Sequence, residues 1–154
     1  MNATNWPEHL QADALLVITH SQHMAEAALD GALSDIWNFG DSLREAGWTQ
    51  ELENSWLQRL DPVHRPCIRG DRIVSVCGSK DRVTPMRTAL IQMDDWDVPQ
   101  ENRFTYKRGH FSIPLGLINN DEALVKFASI LKEIESDQKG KHRATETKCP
   151  GTEI

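Results

Sequence analysis

Arg72-Ile73-Val74-Ser75-Val76-Cys77-Gly78-Ser79-Lys80-Asp81-Arg82-Val83-Thr84-Pro85 is the stretch on which the reading of the fold turns. From Ile73 to Cys77 only Ser75 interrupts the apolar run, and there is no polar alternation. Such a run predicts a strand buried on both faces of a parallel sheet. Gly78 then lets the chain turn sharply, Asp81 follows in the loop, and Pro85 precedes or starts a helix. Loops leaving the C-terminal ends of parallel strands are where α/β sheets place ligand and catalytic groups. A second stretch repeats the pattern: Phe104-Thr105-Tyr106-Lys107-Arg108-Gly109-His110-Phe111-Ser112. Here a short strand, Arg103 to Tyr106, runs through Gly109 to a histidine. Asp81 and His110 lie 29 residues apart, room for one helix, one turn and one strand, so adjacent strand ends would sit side by side. An acid and a histidine delivered in this way are two members of a Ser-His-Asp triad, the acid orienting the histidine and the histidine serving as general base. The residues alone also allow Asp81 as a helix cap near Pro85 and His110 as a surface side chain.

Working outward, Ala14-Leu15-Leu16-Val17-Ile18-Thr19-His20 is another apolar run without alternation and predicts a further parallel strand. Residues 22–60 are helical in pattern. Ala25, Ala28, Leu29 and Leu33 recur at helical spacing, then Leu43, Ala46, Leu52, Trp56, Leu57 and Leu60, with Gly40-Asp41 and Gly47-Trp48 as punctuation. Residues 61–71 read as a loop. Pro85 opens a helix carrying Ala89, Leu90, Met93 and Trp96, and residues 98–102 form a turn. Asp121 is placed to cap a helix reaching about Glu135, with Leu124, Phe127, Ala128 and Leu131 on one face. From Ser136 the chain is polar and aperiodic and reads as a disordered tail. Strand, helical insert, strand, helix, strand, helix is α/β organisation with a parallel sheet of about three strands. The reading is one domain over 1–135, with 22–60 as a helical, lid-like insert, and a tail over 136–154.

The 154 residues carry a net charge of −6 and a mean hydropathy of −0.52. No basic cluster is dense enough for nucleic-acid binding. The longest apolar run, Ala14 to Ile18, is far too short to span a membrane, and the N-terminal residues lack the apolar core of a signal peptide. Cys67, Cys77 and Cys149 have no zinc or CxxC spacing and read as reduced thiols in a cytoplasmic protein. His20 and His23 could share a helical face, but no third ligand accompanies them, so neither metal nor other cofactor is expected.

The two loops resemble the C-terminal part of the α/β-hydrolase superfamily over about residues 13–134. Gly78-Ser79-Lys80-Asp81-Arg82-Val83-Thr84-Pro85 is similar to the Gly-x-x-Asp-x-x-x-Pro acid loop of those enzymes, and Arg108-Gly109-His110-Phe111-Ser112 to their histidine loop. The resemblance implies a partial α/β-hydrolase-like sheet and an ester or acyl hydrolase activity on a small acyl substrate. Asp81 and His110 would be the catalytic acid and base. It also implies a nucleophile in a Gly-x-Ser-x-Gly turn ahead of the acid.

That turn is not evident. Ser21, in Ile18-Thr19-His20-Ser21-Gln22-His23-Met24, is the one candidate, but Thr19 and His23 stand where glycines would relieve crowding. The family also has a further strand between nucleophile and acid. The simpler alignment makes Ala14 to Thr19 that intervening strand, with the nucleophile upstream of Met1 and Ser21 a polar residue at a strand end. Two alternatives stay open: a truncated, non-catalytic remnant whose exposed sheet edges favour a homo-oligomer, and an interaction module built on Trp37, Phe39, Trp48 and Trp56. Those aromatics otherwise read as packing residues or a substrate pocket. Arg82 and Arg108, beside the two key residues, read as solvated or as contacts for an anionic substrate.

Overall fold

The computed structural model describes residues 12–20, 38–57 and 68–146. In chain order these form β1 (Leu15–Ile18), α1 (Phe39–Glu45), α2 (Gln50–Leu57), a 3-10 turn (Gly70–Arg72), β2 (Ile73–Gly78), α3 (Met86–Asp95), a second 3-10 turn (Gln100–Asn102), β3 (Arg103–Tyr106), α4 (Ser112–Leu117) and α5 (Glu122–Glu146). The three strands make one sheet in the order β1-β2-β3, parallel throughout. Leu15 pairs with Ile73 and Ile18 with Val76; Ser75 pairs with Arg103 and Gly78 with Tyr106. The sheet with its flanking helices is the α/β architecture expected from the sequence.

Every residue of β2 is buried, and strand geometry sends alternate side chains to opposite faces. Ile73 and Cys77 pack with Ala89 and Met93 of α3 and with Trp96 and Val98. Val74 and Val76 pack with Ile113 and Leu117 of α4 and with Ala123, Ile130 and Ile134 of α5. The apolar run without alternation is therefore a strand with a core on each side. Each of its large aliphatic side chains contributes about 1.5–3 kcal/mol of burial. β1 was expected to be buried equally deeply, yet its four residues are only half-buried, because it is paired on one side alone among the described residues.

Several local expectations are corrected. Gly40-Asp41 does not interrupt the helical pattern: α1 begins at Phe39, and Asp41 sits in its first turn, paired with Arg44 at 2.9 Å, where an acid suits the helix dipole. Gly47, at φ 85°, ends α1 through bonds from the Gly47 amide to Arg44 and from the Trp48 amide to Leu43, a left-handed position that favours glycine. Between the histidine loop and α5, where the sequence reading places no element, the chain forms the short helix α4, with Pro114 and Gly116 inside it.

At the start of α5 the side chain that accepts from a first-turn amide is Asn120, whose Oδ1 lies 3.4 Å from the Glu122 amide, and not the expected Asp121. The face of α5 is also turned: Ala123, Ile130 and Ile134 are buried, whereas Leu124, Ala128 and Leu131 are exposed. Two apolar stripes compete on this helix, and contact with β2 selects the one carrying both isoleucines. Finally, α5 continues past Glu135 to Glu146. Good helix formers, the Lys139–Glu135 pair at 2.6 Å and the Ser136 hydroxyl on the Lys132 carbonyl carry the helix into the stretch read as tail.

Candidate active site

Because the strands are parallel, the residues after β1, β2 and β3 emerge at one edge of the sheet. The loops after β2 and β3 are joined there by backbone bonds, from the Ser79 amide to Tyr106 at 2.9 Å and from the Lys80 amide to Arg108 at 3.1 Å. Gly78 makes this approach feasible, since a Cβ at that position would overlap the Arg108 carbonyl oxygen and lie 2.5 Å from Ile113 Cδ1.

The joined loops bring Asp81 and His110 together. His110 Nδ1 lies 2.9 Å from Asp81 Oδ2. Asp81 Oδ1 accepts from the Val83 and Thr84 amides, both at 2.9 Å, and Oδ2 also accepts from the Thr84 hydroxyl at 2.8 Å. The carboxylate thus organises the turn over residues 82–85 and holds the histidine at once. The two readings left open for Asp81 are compatible, although α3 itself begins at Met86, with Pro85 at its N-cap position and no side-chain cap. The Asp81 side chain is 1% exposed and that of His110 is 23% exposed. His110 Nε2 has no hydrogen-bond partner among the described residues. A buried acid thus stands behind a solvent-reachable imidazole. The carboxylate at Nδ1 can only accept a hydrogen bond, so it favours a proton on that nitrogen and a lone pair on Nε2. The ring of Phe111 meets His110 edge-on, with centroids 5.1 Å apart.

Ser21, His23 and Trp37 lie outside the described residues. Trp56 is exposed and Trp48 half-buried. The Arg108 side chain rests against Gly116 of α4, where a Cβ would come within 2.6 Å of its Nε, and Arg82 is exposed.

His20 is placed differently from its suggested role beside His23. Its Nε2 lies 2.5 Å from the buried Ser75 hydroxyl and its Nδ1 2.6 Å from Gln92 Oε1. Gln92 can only accept through that oxygen, so Nδ1–H donates to it and the Ser75 hydroxyl donates to Nε2. Burial holds the His20 imidazole below its ordinary pKa, opposed by the Gln92 hydrogen bond. In the sequence Ser75 shows only as the break in an apolar run, and Gln92 shares the buried face of α3 with Thr88, Ala89 and Met93, so neither stands out as a histidine partner. Sequence reading passed over Thr84 too, where a threonine three residues after an aspartate is a local signal for a hydroxyl-to-carboxylate turn.

Thr19, just before His20, has φ 52°. A β-branched residue in the left-handed region is strained. Its amide bond to Val76 at 2.9 Å and its hydroxyl bond to Ile18 at 2.7 Å hold it there.

No group of three or more metal-binding side chains occurs among the described residues, and none of their helices is long and apolar enough to cross a membrane. A polar cleft of about 90 Å³, lined by Arg69, Asp71, Arg72, Glu133 and Asp137 with Ile130 and Ile134, lies beside the N-terminal end of β2, away from Asp81 and His110. No family model matches the chain, and neither a curated protein nor a solved structure matches it.

Proposed function

We propose that Asp81 and His110 are the acid and base of a Ser-His-Asp-type site in an α/β-hydrolase-like ester or acyl hydrolase. The observation that carries this reading is the 2.9 Å contact between His110 Nδ1 and the buried Asp81 carboxylate, across 29 residues of chain. In such a site Nε2 takes the proton of a hydroxyl as its oxygen attacks the substrate carbonyl, and Asp81 stabilises the imidazolium that forms. The same nitrogen returns the proton to the departing alcohol. It then deprotonates a water that releases the acid and restores the hydroxyl. Phe111, whose ring meets that of His110, is exposed, as are Leu115 and Ile118 at helical spacing from it, an apolar surface suited to the acyl part of a substrate.

The hydroxyl comes from outside the described residues. Direct pairing of β1 with the acid-bearing β2 favours β1 as the family's intervening strand, and so a nucleophile other than Ser21. Hydrolysis of short-chain p-nitrophenyl esters, activated enough for an imidazole base to drive attack by water without a protein hydroxyl, by the whole chain and by His110→Ala and Asp81→Asn, tests the reading. The expected result is a rate that falls to the buffer background in both variants. An unchanged rate in His110→Ala overturns the proposal. Mapping a fluorophosphonate adduct then decides the hydroxyl: an adduct on Ser21 that vanishes in Ser21→Ala would reinstate that residue.

A second reading, a non-catalytic interaction module, is favoured by Leu124, Val125 and Leu131, which are exposed on α5. It predicts self-association by sedimentation velocity that is weakened by Leu131→Glu, together with no esterase activity.

A further inference from the structure

We propose that Thr84 is the positioning residue that selects the tautomer of His110, an inference that rests on His110 acting as the base. Asp81 Oδ2, Thr84 Oγ1 and His110 Nδ1 form a closed triangle with sides of 2.8, 2.9 and 3.2 Å. A threonine hydroxyl has one proton, and the carboxylate oxygen beside it can only accept. The proton therefore goes to Oδ2, at the shortest side of the triangle, and the hydroxyl oxygen turns its lone pairs toward Nδ1. Both groups that face Nδ1 are then acceptors. Only the Nδ1–H form of the ring satisfies them, and the lone pair is left on Nε2, the nitrogen that faces a substrate.

Thr84 also fixes the carboxylate itself. Its amide, with that of Val83, holds Oδ1, and its hydroxyl holds Oδ2. Without the hydroxyl, Oδ2 would keep His110 alone, and the carboxylate would lose one of the contacts that set its plane. Threonine is suited to this place because its branched Cβ restricts χ1 and so the direction of the hydroxyl.

The experiment is long-range ¹H–¹⁵N NMR of the His110 ring in the full chain at mildly alkaline pH, with the resonance assigned by His110→Gln. Wild type is expected to be predominantly Nδ1–H. Thr84→Val keeps shape and backbone bonds and is expected to raise the Nε2–H to Nδ1–H ratio roughly three- to tenfold, the factor one neutral hydrogen bond carries. Thr84→Ser should restore the wild-type ratio. A predominantly Nε2–H ring in wild type overturns the proposal even if Thr84→Val does not fold. So does a folded Thr84→Val whose ratio is unchanged. Absent ester hydrolysis with the expected tautomer pattern would count against the hydrolase reading alone, and the positioning role of Thr84 would stand.

Discussion

Gly78 and Arg108 meet backbone to backbone, with no room for a side chain on residue 78. This contact joins the acid loop to the histidine loop, and the Lys80 amide bond to Arg108 continues it. Gly78→Ala should therefore cost about 1–3 kcal/mol, as overpacking does, and should spread the loops. Chemical denaturation checks the first effect. Loss of the close Asp81–His110 contact, read as a shift of the His110 ring resonances, checks the second.

The half-buried His20, bonded to the buried Ser75 and Gln92, makes stability depend on pH. The folded-state pKa of His20 is lowered by burial, so the unfolded chain takes up a proton first as pH falls. The stability contributed by neutral His20 is present in full above the unfolded pKa of about 6.5. It is lost as pH falls below that value toward the folded pKa. Urea denaturation across mildly acidic pH should show a steeper loss of stability in wild type than in His20→Gln. Parallel slopes would remove His20 from the account.

Ser75→Ala removes the donor to His20 Nε2 and leaves a half-buried acceptor without its partner. The expected cost is about 1–3 kcal/mol, read as a lowered denaturation midpoint with an unchanged slope. A neutral substitution would mean that the ring turns to another partner.

Thr19 holds a left-handed backbone at the end of β1. Strain of that kind costs on the order of 1–3 kcal/mol, part of which glycine gives back through its own chain entropy. Thr19→Gly should leave the protein equally stable or more stable by up to about 1 kcal/mol. A clear loss would show that the Thr19 hydroxyl bond to Ile18 outweighs the strain.

The face that α5 presents to the sheet separates two neighbouring residues. Ile130→Ala should cost about 2–5 kcal/mol, as for other large-to-small core changes. Leu131→Ala, at an exposed position, should stay within about 0.5 kcal/mol. Equal effects in thermal melts would mean that both stripes are packed.

Much of this architecture was legible in the chain because it rests on local rules. The run Ile73 to Cys77 has no polar face to offer solvent, so it had to be a strand covered on both sides. Gly78 and Gly109 marked the strand ends, and the interval between Asp81 and His110 matched the length of one helix and one strand. The face of α5 was not legible, since Ala123, Phe127, Ile130 and Ile134 compete with Leu124, Phe127, Ala128 and Leu131 at the same spacing. Helical periodicity ranks both stripes alike, and only contact with β2 chooses between them.

By itself the sequence determined a parallel α/β sheet with an acid and a histidine at its C-terminal edge, because strand burial and turn chemistry are written in neighbouring residues. Tertiary structure alone decided that Asp81 and His110 touch, that Thr84 closes a triangle with them, and that His20 turns inward to Ser75 and Gln92. Those contacts join residues from 26 to 72 positions apart, apart from the local Thr84–Asp81 bond. They exist only once the strands are in register and the helices are seated.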